Sequence, residues 1–380
     1  MIKKRKKRII ISCLVLNSSR SGYRTIIKNL VENSFYNNLK NENIFIFQKS
    51  GWDSLELDFK NKTCEKSTKL IVLKTFKSKW IRAICEQILI PFFAIFYRCD
   101  FIFMPCTFGL VFPLKKVITF VHTNTSFSVP FDLRGRGYLQ QLAHNMMTRI
   151  TALTSSKLLF TTNTTKSEYV KFNNLSSSSS TVVIGNGIKT TRNTDENSSK
   201  MDFLESTKFF LSVSQIYRLK NFDSLIKAFL RFQNHSVLEE NVKLVIVGTI
   251  QERDYFKELK ILCRNNKNII FLHNISDSEL NWLYKKCETY VFLSYFEGYS
   301  LTPAEAICAG KKVILSDIEV HREVYKDLAY FVNPYSVDSI YKGLINRNKH
   351  DISEKTRNKF IDRISHDKFI KRLSKEIISA

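Results

Sequence analysis

The chain has 380 residues, more than one hydrophobic core usually organises, so two domains are expected. Hydrophobic residues make up 44% and charged residues 25%, a globular composition that excludes a long disordered block. The net charge of +24 calls for a polyanionic partner, which leaves nucleic acid, an anionic membrane face and phosphorylated substrates.

The start, MIKKRKKRIIISCLVLNSSRSG, has the basic opening and apolar stretch of a signal peptide. Its apolar part is short, and Asn17-Ser18-Ser19-Arg20 stands where a small-residue cleavage site belongs. It reads as a basic tail feeding a buried first strand at 9–16. A helical pattern follows through Ile26, Ile27, Leu30 and Val31. Further strands are expected at 44–47, 101–103, 117–121 and 157–161, each followed by a turn or helix pattern, as in a doubly wound α/β domain. The most apolar segment, ILIPFFAIF at 88–96, is too short to cross a bilayer and carries Pro91.

Composition changes over 173–200, where five serines and a polar tract surround a short strand at 182–184, the best linker in the chain. The alternation then restarts, with strands expected at 209–213, 242–247, 269–272, 290–293 and 313–315 and a helix at 223–232. The predicted division is an N-terminal domain over 1–185, a linker over 186–205, a second Rossmann-like domain over 206–350 and a C-terminal helix over 351–380. Phe360, Ile364, Phe369, Leu373 and Ile377 fall mostly on one face of that last helix. Two Rossmann-like domains with a cleft between them satisfy the pattern.

Eight cysteines occur without a C-x-x-C pair or a nearby His at zinc-ligand spacing, and most lie in apolar runs. Buried free thiols in a reducing compartment are the expectation.

The chemistry concentrates at YFEGYSLTPAEAICAGKKVILS, residues 295–316. Thr302-Pro303-Ala304-Glu305 has the form of a helix start, with Thr302 as N-cap, Pro303 in the first helical position and Glu305 as a capping-box carboxylate. Glu297 follows a strand beside Gly298, where no capping role is open to it. A loop from the carboxyl end of a parallel strand into a helix N-terminus is a phosphate site, with backbone N–H groups around Ser300 and Leu301 as donors. Carboxylates on both sides of a diphosphate suit hydroxyl-rich groups, a sugar at one end and a ribose at the other. The expected ligand is a nucleotide-diphosphate sugar.

The segment FEGYSLTPAEA resembles the Glu-x7-Glu signature of the family-4 retaining glycosyltransferases, whose fold is two Rossmann-like domains of the GT-B type. FFLSVSQIYRLKNFDSLIKAF (209–229), FLHNISDSELNWLY (271–284) and YFVNP (330–334) resemble the same family. CEQILIPFFAIFYRCDFIFMPC (85–106) and VITFVHTNTSF (117–127) look like the acceptor domain of members that assemble bacterial surface polysaccharides. The resemblance implies that Glu297 sits against the transferred sugar and Glu305 holds the ribose. It implies that Arg218 and Lys220 neutralise the diphosphate, and that His122 stands next to the reacting sugar carbon. It gives Gly22 a donor-phosphate role, although the first loop, SSRSGYR, has one glycine where members carry more. Ser300 and Thr302 stand where the family often has Gly and Pro.

The implied function is a retaining, metal-independent hexosyltransfer to a glycan hydroxyl, without a cofactor. The alternative is a non-catalytic nucleotide-sugar or glycan-binding protein of the same fold. The tail KKRKKR (3–8) and the cations and aromatics of 74–98 suit an anionic membrane. No nucleic-acid-binding motif accompanies them. A lipid-diphosphate-linked acceptor and a peripheral position on the inner, cytoplasmic face of the cell membrane are therefore expected.

Overall fold

The computed structural model describes residues 7–16, 24, 26–28, 30–32, 42–55, 68–123, 127, 138–176, 180–188, 199–234, 241–349 and 351–379. They form two compact units. One draws on 1–127, 139–187 and 366–380, the other on 188–365 with Tyr138.

The first unit is a seven-stranded parallel sheet. Its strands are β1 (Arg8–Ser12), β2 (Glu42–Gln48), β3 (Thr68–Leu73), β4 (Phe101–Met104), β5 (Lys116–Val121), β6 (Lys157–Phe160) and β7 (Thr181–Val183), in the order β3-β2-β1-β4-β5-β6-β7. Continuous apolar runs form it because both faces are covered. Along β2, Ile44 and Ile46 join one core while Phe45 and Phe47 join the other, the two-residue period of a strand. The Ile44 side is covered by Ile90 and Ala94 of helix α2 (Lys79–Phe96), which follows the short α1 (Lys49–Ser54). Two further helices, α3 (Tyr138–Thr154) and α4 (Asn163–Asn173), lie before β7.

The second unit is a six-stranded parallel sheet. Its strands are β8 (Phe209–Val213), β9 (Lys243–Val247), β10 (Ile269–Leu272), β11 (Thr289–Phe292), β12 (Lys312–Ser316) and β13 (Tyr330–Val332). They run β10-β9-β8-β11-β12-β13, so the winding reverses between β8 and β11. The helices are α5 (Phe222–Asn234), α6 (Arg253–Leu262), α7 (Asp277–Lys286), α8 (Leu301–Cys308), α9 (Glu319–Tyr325), α10 (Val337–Ile345) and α11 (Glu354–Arg363). Gly248, just past β9, is a packing requirement, because a Cβ there would meet the Ser214 carbonyl oxygen at 1.7 Å.

The single C-terminal helix expected from sequence is two helices. α11 ends at Arg363 with Ile364 as its C-cap, and α12 (His366–Ile378) begins after Ser365. Phe360 and Ile364 are buried in the second unit, whereas Phe369, Leu373 and Ile377 are buried in the first with Phe120. One apolar stripe thus serves two cores, and the helix breaks where the chain changes unit. Of the expected linker, residues 189–198 lie outside the described residues. The described turn Ser199–Leu204 is a 3₁₀ helix that buries Met201 and Leu204 in the second unit.

The basic tail is described only at its end. Lys7 Nζ donates to the Ile378 carbonyl at 2.7 Å, and Arg8 pairs with Glu42, so these two cations fasten the first strand. Cys64 lies outside the described residues; the other seven cysteines are free thiols. No helix among the described residues is long and apolar enough to cross a membrane.

Candidate functional site

In a doubly wound sheet, ligands bind outside the carboxyl ends of the strands where the winding reverses. In the second unit that point carries two loops, 214–221 after β8 and 293–300 after β11. Their backbones are joined: the Tyr295 N–H and the Ser294 hydroxyl both donate to the Leu219 carbonyl, at 3.0 and 3.1 Å. Tyr295 Oη donates to Asn221 Oδ1 at 2.8 Å, and Asn221 Nδ2 donates to the Pro334 carbonyl at 2.7 Å. Asn221 has φ of 56°, a left-handed conformation that asparagine tolerates better than most residues.

This frame brings Lys220 and Glu297 together. They form an ion pair with a charge-assisted hydrogen bond from Nζ to Oε1, and their side chains are only 11% and 13% exposed. Burial would raise the Glu297 pKa, but the Lys220 charge and hydrogen bond overcome it and hold the carboxyl below its usual range. Burial would likewise lower the Lys220 pKa, and the Glu297 charge more than reverses it. The ammonium also lies 5.3 Å from the Phe292 ring centroid and 5.4 Å from that of Tyr217.

Arg218 is on the same 3₁₀ turn but is directed elsewhere. Its guanidinium pairs with Glu252, which caps α6, and with Glu258 on α6, and lies over the Tyr255 ring. The two cations that sequence treats as one basic pair therefore have separate partners.

Ser300 is the N-cap of α8 and Leu301 its first residue, so the helix starts earlier than the Thr302-Pro303 pattern predicts. Pro303 is the third helical residue, and Glu305 lies beyond the first turn, where a capping box cannot form. Glu305 instead accepts a hydrogen bond from Tyr284 Oη at 2.9 Å. The local code was overridden because Ser300 adopts φ of 69°. Two tethers hold it there: Tyr325 Oη donates to the Ser300 carbonyl, and Ser300 Oγ lies 3.0 Å from His321 Nε2.

His321 was given no role by sequence reasoning. It is fully buried, with Nδ1 at 2.9 Å from the Ser316 carbonyl. A carbonyl can only accept, so Nδ1 carries the proton and Nε2 accepts from the Ser300 hydroxyl. Burial lowers its pKa to about 4, against the opposing pull of Glu297. The only sequence signal was its spacing, five residues after the end of β12.

In the first unit, His122 follows β5 directly. Its Nε2 lies 3.1 Å from the Pro105 carbonyl, and its ring packs on Phe120 with centroids 3.9 Å apart. Burial lowers its pKa to about 3, opposed by that hydrogen bond. Gly22 lies outside the described residues. No cluster of three or more His, Cys, Asp or Glu able to hold a metal occurs among the described residues.

A buried histidine with a lowered pKa binds its proton more readily in the unfolded chain. Stability from His321 and His122 is therefore complete above pH 6.5 and declines as pH falls towards their folded values of about 4 and 3. The thermal midpoint should drop between pH 6.5 and 5, and His321→Gln should flatten that slope. Equal slopes for the two proteins in that window would show that His321 protonates as readily in the folded state.

Residues 193–366 match the family model described as glycosyl transferases group 1. Over these residues the chain is similar to the group 1 glycosyltransferases, the class that the Glu-x7-Glu segment pointed to. It is 33% identical over 139 residues to the O-antigen chain mannosyltransferase RfbU of Salmonella typhimurium, covering 36% of this chain and 38% of that protein. It is 30% identical over 145 residues to the alpha-1,3/1,6-mannosyltransferase ALG2 of Saccharomyces cerevisiae, covering 30% of this chain and 28% of that one. The chain thus spans less than half the length of these relatives. The solved sucrose-phosphate synthase of Thermosynechococcus elongatus superposes over 98% of this chain and 100% of its own, with a TM-score of 0.73 at 12% identity. At that identity the likeness concerns the fold, which is GT-B.

Proposed function

We propose that the chain is a retaining glycosyltransferase that moves a hexose-type sugar from a nucleotide diphosphate to a hydroxyl of a growing surface glycan. The observation that carries this reading is the buried Lys220–Glu297 pair beside the α8 N-terminus, at the reversal point of a parallel sheet. The RfbU and ALG2 names supply the first donor class to test, a mannosyl nucleotide. The domain roles follow the same reading, with 1–185 on the acceptor side and 206–350 on the donor side.

In the proposed reaction the bond between the anomeric carbon and the phosphate oxygen breaks, and the acceptor oxygen bonds that carbon on the same face. The hydroxyl proton leaves towards the departing diphosphate. Charge builds on that diphosphate, so fixed donors and cations aimed at it lower the barrier. The backbone N–H groups at Ser300 and Leu301 and the ammonium of Lys220 supply them, with Arg218 at the rim. Glu297 orients the transferred sugar and holds Lys220, and Glu305 takes the ribose. His122 is placed next to the reacting carbon on resemblance alone, and Gly22 near the phosphates likewise. The diphosphate is neutralised by the chain's own cations, so metal is dispensable. The acceptor is a lipid-diphosphate-linked glycan on the cytoplasmic face of the membrane.

Thermal denaturation against a panel of nucleotide sugars, in excess EDTA, tests the donor. A ligand at about 100 times its Kd stabilises by about 2.7 kcal/mol, so a true donor gives a shift of several degrees. No shift from any nucleotide sugar would remove the donor site. A shift without donor hydrolysis or transfer would favour a binding protein, and a shift that needs Mn²⁺ or Mg²⁺ would overturn metal independence.

A further inference from the structure

The helix α2 carries a second feature that the donor site does not use. Trp80, Ile84, Ile88, Phe92 and Phe96 recur every fourth residue and are 64%, 60%, 63%, 57% and 65% exposed. The opposite face of the same helix is buried through Ile90, Pro91 and Ala94. At 1.5 Å per residue the exposed ridge runs about 24 Å along the surface. A single exposed leucine or phenylalanine is ordinary, but an uninterrupted apolar ridge marks an interaction site.

A neighbouring loop adds to it. Gln87 of α2 donates to the Gly109 carbonyl at 3.2 Å and accepts from the Val111 N–H at 2.7 Å, which fixes the 108–114 loop on the helix. That loop exposes Phe112 and Leu114. The charge around these elements has one sign. Lys74, Lys77, Lys79, Lys115 and Lys116 are exposed. The two carboxylates in the stretch are already engaged: Glu86 is buried on Arg82 and Ser12, and Asp100 accepts the Arg8 backbone N–H at 2.8 Å.

We propose that α2 and the 108–114 loop form a docking surface for an anionic phospholipid bilayer. The helix lies in the interface with its ridge among the acyl chains and the lysines at the headgroups. An exposed apolar face with cations beside it and no exposed carboxylate fits that occupant. A protein partner has no need of uniform positive charge, and no helix among the described residues is long and apolar enough to cross the bilayer instead. The inference gives the membrane partner of the reading above a place on the chain. Its test measures lipid binding and not transfer, so the two can fail separately.

The full chain is co-sedimented with vesicles of phosphatidylcholine plus phosphatidylglycerol, and with phosphatidylcholine alone, at physiological salt. Binding to the anionic vesicles is expected, with a blue shift of Trp80 emission that the Trp80→Phe variant lacks. The triple change Ile84→Ser, Ile88→Ser and Phe92→Ser should cut binding by about tenfold or more, since the removed side chains are the ones that enter the acyl region. All three are exposed, so the fold should persist. Replacing Lys74, Lys77 and Lys79 by Gln should weaken anionic binding and leave any neutral-lipid binding unchanged. Wild-type binding by the triple variant would overturn the proposal, as would an unshifted Trp80 emission on bound vesicles. Self-association abolished by the triple change, without lipid binding, would overturn it in favour of a protein interface.

Discussion

Glu297→Gln is expected to lower turnover at saturating donor by at least about tenfold, a loss of about 1.4 kcal/mol or more of transition-state stabilisation. The substitution keeps the shape and one oxygen that can accept from Lys220, but removes the charge. Two functions follow that charge: orienting the sugar, and holding the ammonium beside the diphosphate. Sequence alone suggests that the change spares stability, because Glu297 has no capping role. The ion pair alters that expectation. Removing one partner of a buried pair leaves an uncompensated charge, so a cost of about 1–3 kcal/mol in stability is expected as well. Wild-type turnover in the variant, measured as donor consumption below its thermal midpoint, would take Glu297 out of the site.

The strands were legible because parallel strands covered on both faces are written as apolar runs, and IFIF in β2 feeds two cores at once. β3 was not anticipated. It is an edge strand with one buried residue, Thr68, where the inner strands have continuous buried runs, and TKLIVL merges into the lysines that follow it. The carboxylates of the site were legible because a strand-to-helix loop with flanking acids is a local pattern. Their partners were not. Lys220 and Glu297 are 77 positions apart, and nothing in either loop says that the pair closes.

The start of α8 shows the same division between local and tertiary signals. Thr302-Pro303-Ala304-Glu305 satisfies the capping rules, yet the helix begins at Leu301 because α9 reaches back to Ser300. A serine at φ of 69° is unfavourable unless the surroundings impose it. Tyr325 and His321 impose it, and they are 25 and 21 residues downstream. The exposed ridge of α2 was illegible for the opposite reason. ILIPFFAIF is equally apolar whether it faces the core or the surface, and only the packing of Ile90 and Ala94 decides which side is buried.

Lys220→Met should have the larger effect on the folded state, and combining it with the change at Glu297 separates structure from function. In the single variant Glu297 keeps its burial but loses the charge that opposes it. Its pKa should then rise, because burial stays while the Lys220 charge and hydrogen bond that hold it down are gone. Breaking a buried pair from one side typically costs about 3–5 kcal/mol, and the 13% exposure of the Glu297 side chain sets the value here near the lower end, about 3 kcal/mol. The thermal midpoint should fall, and donor affinity should fall with it. In Lys220→Met, Glu297→Gln no charge is left unpaired, so part of the lost stability should return. A buried pair replaced by neutral groups of similar size is often no less stable than the pair itself. Transfer should not return, since neither the cation for the diphosphate nor the carboxylate for the sugar is restored. Thermal midpoints and donor turnover of the wild type, both single variants and the double variant complete the cycle. Recovery of turnover together with stability would mean that Lys220 and Glu297 act only as a structural clasp between the β8 and β11 loops. Stability without turnover would place both in the donor site.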